Sequence, residues 1–161
     1  MFVRYYVFVE QPFGKVEQSL LDATKGWLEN VAQGVSRSNL TLDELGVGGR
    51  RAGLNKLVEM RFGDPLRRDS TRTALPFTWR ANRVSSLFPK FAGDVEISHW
   101  RPATTQLAVS ANYEPPLGPV GRVLDRAALH LLAESLVKDL VDNIAVAVEA
   151  SLIAKARVPT A

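Results

Sequence analysis

The chain has no cysteine and only two histidines, His99 and His130, in 161 residues. Disulfides, thiolate metal centres and a cysteine nucleophile are excluded, and so is a histidine-rich metal site. No metal and no cofactor is expected. Charge of one sign is also scarce. The 20 basic and 17 acidic residues leave +3, too small an excess to imply nucleic-acid binding without a concentrated patch. Arg50, Arg51, Arg67, Arg68, Arg72, Arg80 and Arg83 fall in one region, but Glu59, Asp64 and Asp69 are interleaved with them. That is the pattern of solvated outer-strand charge, which also blunts edge pairing. No apolar run approaches the roughly 20 residues that span a bilayer. The apolar start, Met1 to Val9, lacks a basic leading region and is closed by Glu10, so it reads as a strand rather than a signal peptide. Gly46-Val47-Gly48-Gly49 lacks the GK[ST] ending of a phosphate loop, and neither G-x-S-x-G nor H-E-x-x-H occurs. The expectation is a cytoplasmic protein, monomer or homodimer, without an integral membrane segment.

What is present is the make-up of one globular domain, 1–161. Apolar residues amount to 46% and charged residues to 23%, and a chain of this length buries about 70% of its unfolded surface. Residues 2–10 alternate as a strand with both faces substantially apolar, as in a strand covered on both sides. After Pro12, residues 13–34 carry helical spacing through Val16, Leu20, Leu21, Trp27, Leu28 and Val31, with Gly26 a point of division. A short helix at 41–45 is capped by Thr41 with Glu44. Strands are expected at 54–62, 70–82, 93–101 and 104–113, with a short one near 47–52. Gly63-Asp64-Pro65 and Pro102-Ala103 serve as turns, and Phe88 to Gly93 reads as a loop with exposed aromatics. Pro115, Pro116 and Pro119 then stop the last strand. From Arg122 to Arg157 no Gly or Pro occurs. A long helix is expected there, with Val120, Leu124, Ala127, Ala128, Leu131, Leu132, Leu136, Leu140, Ile144 and Val148 on a broad apolar stripe.

This order, and several short motifs, resemble the START-like helix-grip superfamily, which includes polyketide cyclases and aromatases. Val9, Pro12, Val16 and Trp27 stand where its members carry a strand, a proline and a helix with a tryptophan. Leu75-Pro76-Phe77-Thr78-Trp79-Arg80-Ala81, Leu87-Phe88-Pro89, Thr105-Gln106-Leu107, Tyr113-Glu114-Pro115-Pro116-Leu117-Gly118 and Leu124-Asp125-Arg126 are similar to a group of actinobacterial proteins within it. The resemblance spans the chain. It implies an α+β helix-grip fold: a curved antiparallel sheet of about six strands wrapped around a long C-terminal helix, with two short helices after the first strand. It also implies a cavity between sheet and helix that holds a small hydrophobic ligand.

Strand parity nominates the lining. Val58, Met60 and Phe62 share a face. So do Leu75, Phe77 and Trp79; Val95, Ile97, His99 and Arg101; and Leu107, Val109, Ala111 and Tyr113. The candidate ligand-binding set is therefore Val58, Met60, Leu75, Phe77, Trp79, Ile97, His99, Arg101, Leu107, Val109 and Tyr113, with Leu124 and Ala128 from the helix. Packing of the same residues into a filled core is the competing reading. His99, at period two from Val95 and Ile97, is the candidate acid or base. Arg101 beside it would hold a carboxylate or phenolate. His130, Glu134 and Arg126, four apart, read as a surface ladder on the long helix. Three functions stay open: a carrier or sensor of a lipid, polyketide or isoprenoid-like molecule; a polyketide cyclase or aromatase using His99; and a protein-interaction module using the outer sheet face or the Phe88–Phe91 loop.

Overall fold

The computed structural model describes residues 1–24, 26, 28, 58–81, 90–114 and 126–157. Residues 29–34 of the expected helical stretch, the helix at 41–45, the strand at 47–52, Phe88, Leu124 and the prolines at 115, 116 and 119 lie outside them. The described elements are β1 (Phe2–Val9), α1 (Phe13–Ala23), β2 (Val58–Phe62), β3 (Leu66–Asp69), β4 (Arg72–Ala81), β5 (Lys90–Arg101), β6 (Thr104–Glu114) and α2 (Arg126–Arg157). The six strands form one curved, wholly antiparallel sheet in the order β1-β6-β5-β4-β2, with β3 pairing β4.

Proline starts α1 as the sequence implies. Pro12, with its φ fixed near the helical value and no N–H to satisfy, accepts from the amides of Lys15 (3.0 Å) and Val16 (3.2 Å). The helix ends at Ala23, where the Thr24 hydroxyl donates to the Leu21 carbonyl at 2.7 Å and the Gly26 amide to Ala23 at 3.0 Å. These bonds satisfy carbonyls that a helix end leaves open. Phe13, Val16, Leu20 and Ala23 make its buried stripe.

The sheet is read most simply as rows of inward side chains set by register. Met60, Trp79, Phe91 and Tyr113 stand opposite one another across four strands. The next row is Phe62, Phe77, Gly93, Ala111 and Val3; the next, Leu75, Val95, Val109 and Tyr5; then Thr73, Ile97, Leu107 and Val7. Over these rows lies α2, about 48 Å long at 1.5 Å per residue. Its Ala133, Leu136, Val137, Leu140, Val141, Ile144 and Val148 join the strand residues and α1 in one buried cluster.

Four expectations about the elements are corrected. Leu131 is 65% exposed. It precedes Leu140 by nine residues, and at about 100° per residue that places it on the opposite side of the helix. β1 is covered on one side only: Phe2, Tyr6 and Phe8 are exposed on the outer face, with Phe8 packed on exposed Trp100 at 5.3 Å between ring centroids. Residues 66–69 form a short strand that alternation did not announce, because every position of it is exposed. And β5 begins at Lys90, so Phe91 is a buried strand residue rather than part of a loop. The β3–β4 turn is closed by Asp69, whose carboxylate accepts from the Thr71 hydroxyl (2.6 Å) and amide (2.7 Å). Those bonds hold its carboxyl below the usual carboxylate range.

α1 is tied to the sheet by one largely buried carboxylate. Glu17 accepts from the buried Thr73 hydroxyl at 2.6 Å and from Arg67 at 3.3 Å. Glu17→Ala leaves that hydroxyl without its acceptor, so a loss of about 1–2 kcal/mol is expected in urea denaturation. Asp22→Asn, which removes the charge from the exposed pair with Lys155 (2.6 Å), is expected to cost less than about 1 kcal/mol.

Candidate functional site

The interior between sheet and α2 has one end built of aromatic rings. Register sets Trp79 beside Phe91 and Phe91 beside Tyr113. Their ring centroids are 5.3 and 5.8 Å apart with tilts of 30° and 34°, within the range where aromatic pairs attract. Met60, partly buried, extends the row on β2. Tyr113 is fixed by its backbone as well, since its amide donates to the Met1 carbonyl at 2.7 Å.

The row continues onto the helix. The His130 ring stacks beside Tyr113 at 6.1 Å and 26°. The Tyr113 hydroxyl and His130 Nδ1 are 3.0 Å apart. On the other side of the imidazole, Nε2 lies 3.4 Å from Glu134 Oε1. Tyr113 is buried, while His130 is half-buried and Glu134 exposed. A phenol inside the protein is thus connected through an imidazole to a carboxylate at the surface. Such a chain can accept, hold or pass a proton.

Beside the aromatic row, the floor of the sheet is low. Gly93 and Ala111 face each other there, contributing no side chain and a single methyl, with Phe62 and Phe77 on one flank and Val3 on the other. A second buried hydroxyl lies on α1. Ser19 Oγ is shut off from solvent and has no hydrogen-bond partner among the described residues.

Of the nominated residues, Leu75, Phe77, Trp79, Ile97, Leu107, Val109 and Tyr113 are buried in the one cluster and Met60 packs against it. Val58 opens β2 and Ala128 lies in the first turn of α2. His99 and Arg101 are corrected: both are exposed at the end of β5. His99 keeps the strand register with Thr105, and the register shifts only beyond it, before Arg101. The inner space beside Thr105, the strand partner of His99, is taken by the Gln11 carbonyl, which accepts the Thr105 hydroxyl at 2.8 Å. The pairing of His130 with Glu134 is as the four-residue spacing implies, but His130 also turns inward to Tyr113. Sequence reasoning missed this contact and Phe91. For Phe91 a signal existed, its odd-numbered parity with Val95 and Ile97. For His130 none did, because its partner is 17 residues away across a strand-to-helix connection.

No family model matches the chain, and no curated protein sequence matches it. Solved structures do. The chain is similar to a conserved protein from Geobacillus kaustophilus, at 13% identity over 94% of this chain and 97% of that one, with a TM-score of 0.56. It is similar to the Zhui aromatase/cyclase from Streptomyces sp. R1128, at 12% identity over 98% and 99%, TM-score 0.54. A hypothetical protein from Helicobacter pylori matches at 13% identity over 91% and 86%, TM-score 0.51. At such identities the shared property is the fold. Among the described residues no helix is long and apolar enough to cross a membrane.

Proposed function

We propose that the protein binds a small apolar molecule, lipid, polyketide or isoprenoid-like, between the sheet and α2, and acts in the cytoplasm as its carrier or sensor. The observation that carries this reading is the inner wall itself. An aromatic row ends on a buried hydroxyl beside a strip floored only by Gly93 and Ala111. Apolar walls with few polar groups are the usual make-up of a small-molecule site. The fold shared with an aromatase/cyclase supports it.

The expected result is stabilisation by a naphthalene-sized aromatic. With 2-naphthol at about a hundred times its dissociation constant, unfolding free energy rises by about 2.7 kcal/mol. A domain of this size then melts about 5–10 °C higher. Native mass spectrometry of the complex should show one molecule per chain. An unmoved melting temperature together with an uncharged ligand channel in the mass spectrum counts against the reading.

A cyclase or aromatase is the second reading, favoured by the Tyr113–His130–Glu134 chain. His99, exposed, gives way to His130 as the acid or base of that alternative. An interaction module remains a third, and the exposed Phe2, Tyr6, Phe8 and Trp100 are the residues that would serve it.

A further inference from the structure

We infer that two copies of the chain pair through β1, antiparallel and centred on Tyr5, so that one sheet runs unbroken across both. The surface concerned is the end of the sheet and its outer face, separate from the interior that faces α2.

The backbone of β1 is open on one side. β1 closes the strand order, and among the described residues no strand lies beyond it. The Met1 amine donates to the Tyr113 carbonyl at 2.8 Å, and the Tyr113 amide donates to the Met1 carbonyl at 2.7 Å. That exchange marks a hydrogen-bonded pair, and in an antiparallel ladder such pairs recur at every second residue. Val3, Tyr5, Val7 and Val9 therefore turn their amides and carbonyls to β6, while Phe2, Arg4, Tyr6 and Phe8 turn theirs outward. Proteins blunt such an edge with charge, proline, a bulge or a very short strand. β3, at the other side of the sheet, has these devices: it is short and exposed, carries Arg67, Arg68 and Asp69, and shifts its register. β1 keeps one register with β6 throughout, and Arg4 is its only charge. Arg4 is drawn back over the outer face toward Glu96 of β5, at 3.9 Å. On the inner face Tyr5 is still 37% exposed, so α2 stops short of the edge.

An open edge takes a strand, and β1 is complementary to itself. Laid antiparallel against its copy with Tyr5 on the two-fold axis, it sets Phe2 opposite Phe8 and Arg4 opposite Tyr6, each twice. Every outward amide and carbonyl then finds a partner, giving about eight hydrogen bonds. Phe2 of one copy joins the exposed Phe8–Trp100 pair of the other as a third ring. Arg4 lies against the Tyr6 ring. With the axis at Arg4 the two guanidinium groups would oppose each other and repel. With the axis at Tyr6, Phe2 would lie beyond the end of the partner strand.

Sedimentation velocity of the full chain over a range of concentrations is the test. The pairing covers roughly 1,000 Å² in total, the low end of specific interfaces. Monomer and dimer are therefore expected to exchange with a dissociation constant of about 10–100 µM. Tyr6→Arg opposes two arginines at both crossings and should raise that constant at least about tenfold, with unaltered circular dichroism because Tyr6 is exposed. Leu66→Arg, also exposed but on β3, should leave it within about twofold. The absence of cysteine lets single introduced thiols read the register. Tyr5→Cys sets two thiols face to face on the axis, about 4.5 Å apart at Cβ and close to disulfide spacing. It should form a linked dimer on oxidation at least about fivefold faster than Arg4→Cys or Tyr6→Cys, whose thiols do not face their own copies. Faster linking through Arg4→Cys or Tyr6→Cys overturns the Tyr5-centred register. A monomer at every concentration overturns the pairing and leaves the aromatic face to a different partner. A dimer that Tyr6→Arg does not weaken shows that the copies meet elsewhere, and overturns it as well.

Discussion

Gly93→Ala is expected to remove most of the protein's stability or to prevent folding. Gly93 lies in β5 opposite Ala111 of β6 and Phe77 of β4. A methyl placed on it would run into the main-chain carbonyl oxygen of Ser110 and stand 2.7 Å from the Cα of Ala111. Carbon atoms attract best at about 3.5–4.0 Å and repel well inside that distance. Both obstacles are backbone of a central strand, so no side chain can swing aside to relieve the clash. β5 and β6 would have to part in the middle of the sheet. Overpacking that side chains can absorb costs about 1–3 kcal/mol. Here we expect more than about 4 kcal/mol, against the 5–15 kcal/mol that holds a domain together. Urea unfolding followed by far-UV circular dichroism reads the effect. A midpoint equal to that of the wild type would remove this account of the close approach.

Ile144→Ala is expected to cost about 2–5 kcal/mol, lowering the melting temperature by roughly 5–15 °C. Ile144 is fully buried on α2, in the cluster with Leu140, Val141 and Val148. Truncation removes its transfer energy and leaves a void between two rigid layers. Leu131→Ala on the same helix is the control. Its side chain is exposed, and the change should stay within about 0.5 kcal/mol. Both variants end at alanine and their helix propensity changes differ by only a few tenths of a kcal/mol, so the difference between them chiefly reports burial. Similar losses for both would mean that α2 does not pack on the sheet through the stripe described.

The inward faces of the central strands were legible from strand parity. Leu75, Phe77 and Trp79, and likewise Leu107, Val109 and Tyr113, follow a period of two without interruption, and each of them is buried. Parity is reliable there because both strands lie in the middle of the order and one face must meet α2. It failed at His99, which keeps its register with Thr105 but is exposed at the end of β5. It also misjudged β1, whose aromatics on even positions face outward in spite of their apolar character. An alternation says which residues share a face. It does not say whether a second layer covers that face.

The helical stripe shows the same division. Leu136, Leu140, Ile144 and Val148 repeat at four-residue steps and all are buried. Leu131 was gathered into the stripe by its chemistry and is excluded by its angle.

The sequence by itself determined the first strand, the proline-started α1, the long C-terminal helix and the inward faces of the central strands, since those are matters of local period and of where proline can stand. The α+β class, an antiparallel sheet with a long C-terminal helix, is as expected. Only the tertiary structure decided which faces meet. The Trp79–Phe91–Tyr113 row exists because antiparallel register aligns three strands, and the Tyr113–His130 contact exists because α2 lies across their ends. Neither is encoded in any local spacing, since hydrogen bonds between distant residues depend on positions fixed by the packing of the whole core. The absence of cysteine and the near absence of histidine closed most chemistries at the outset. The fold then placed one of the two histidines at the surface and the other against the buried phenol.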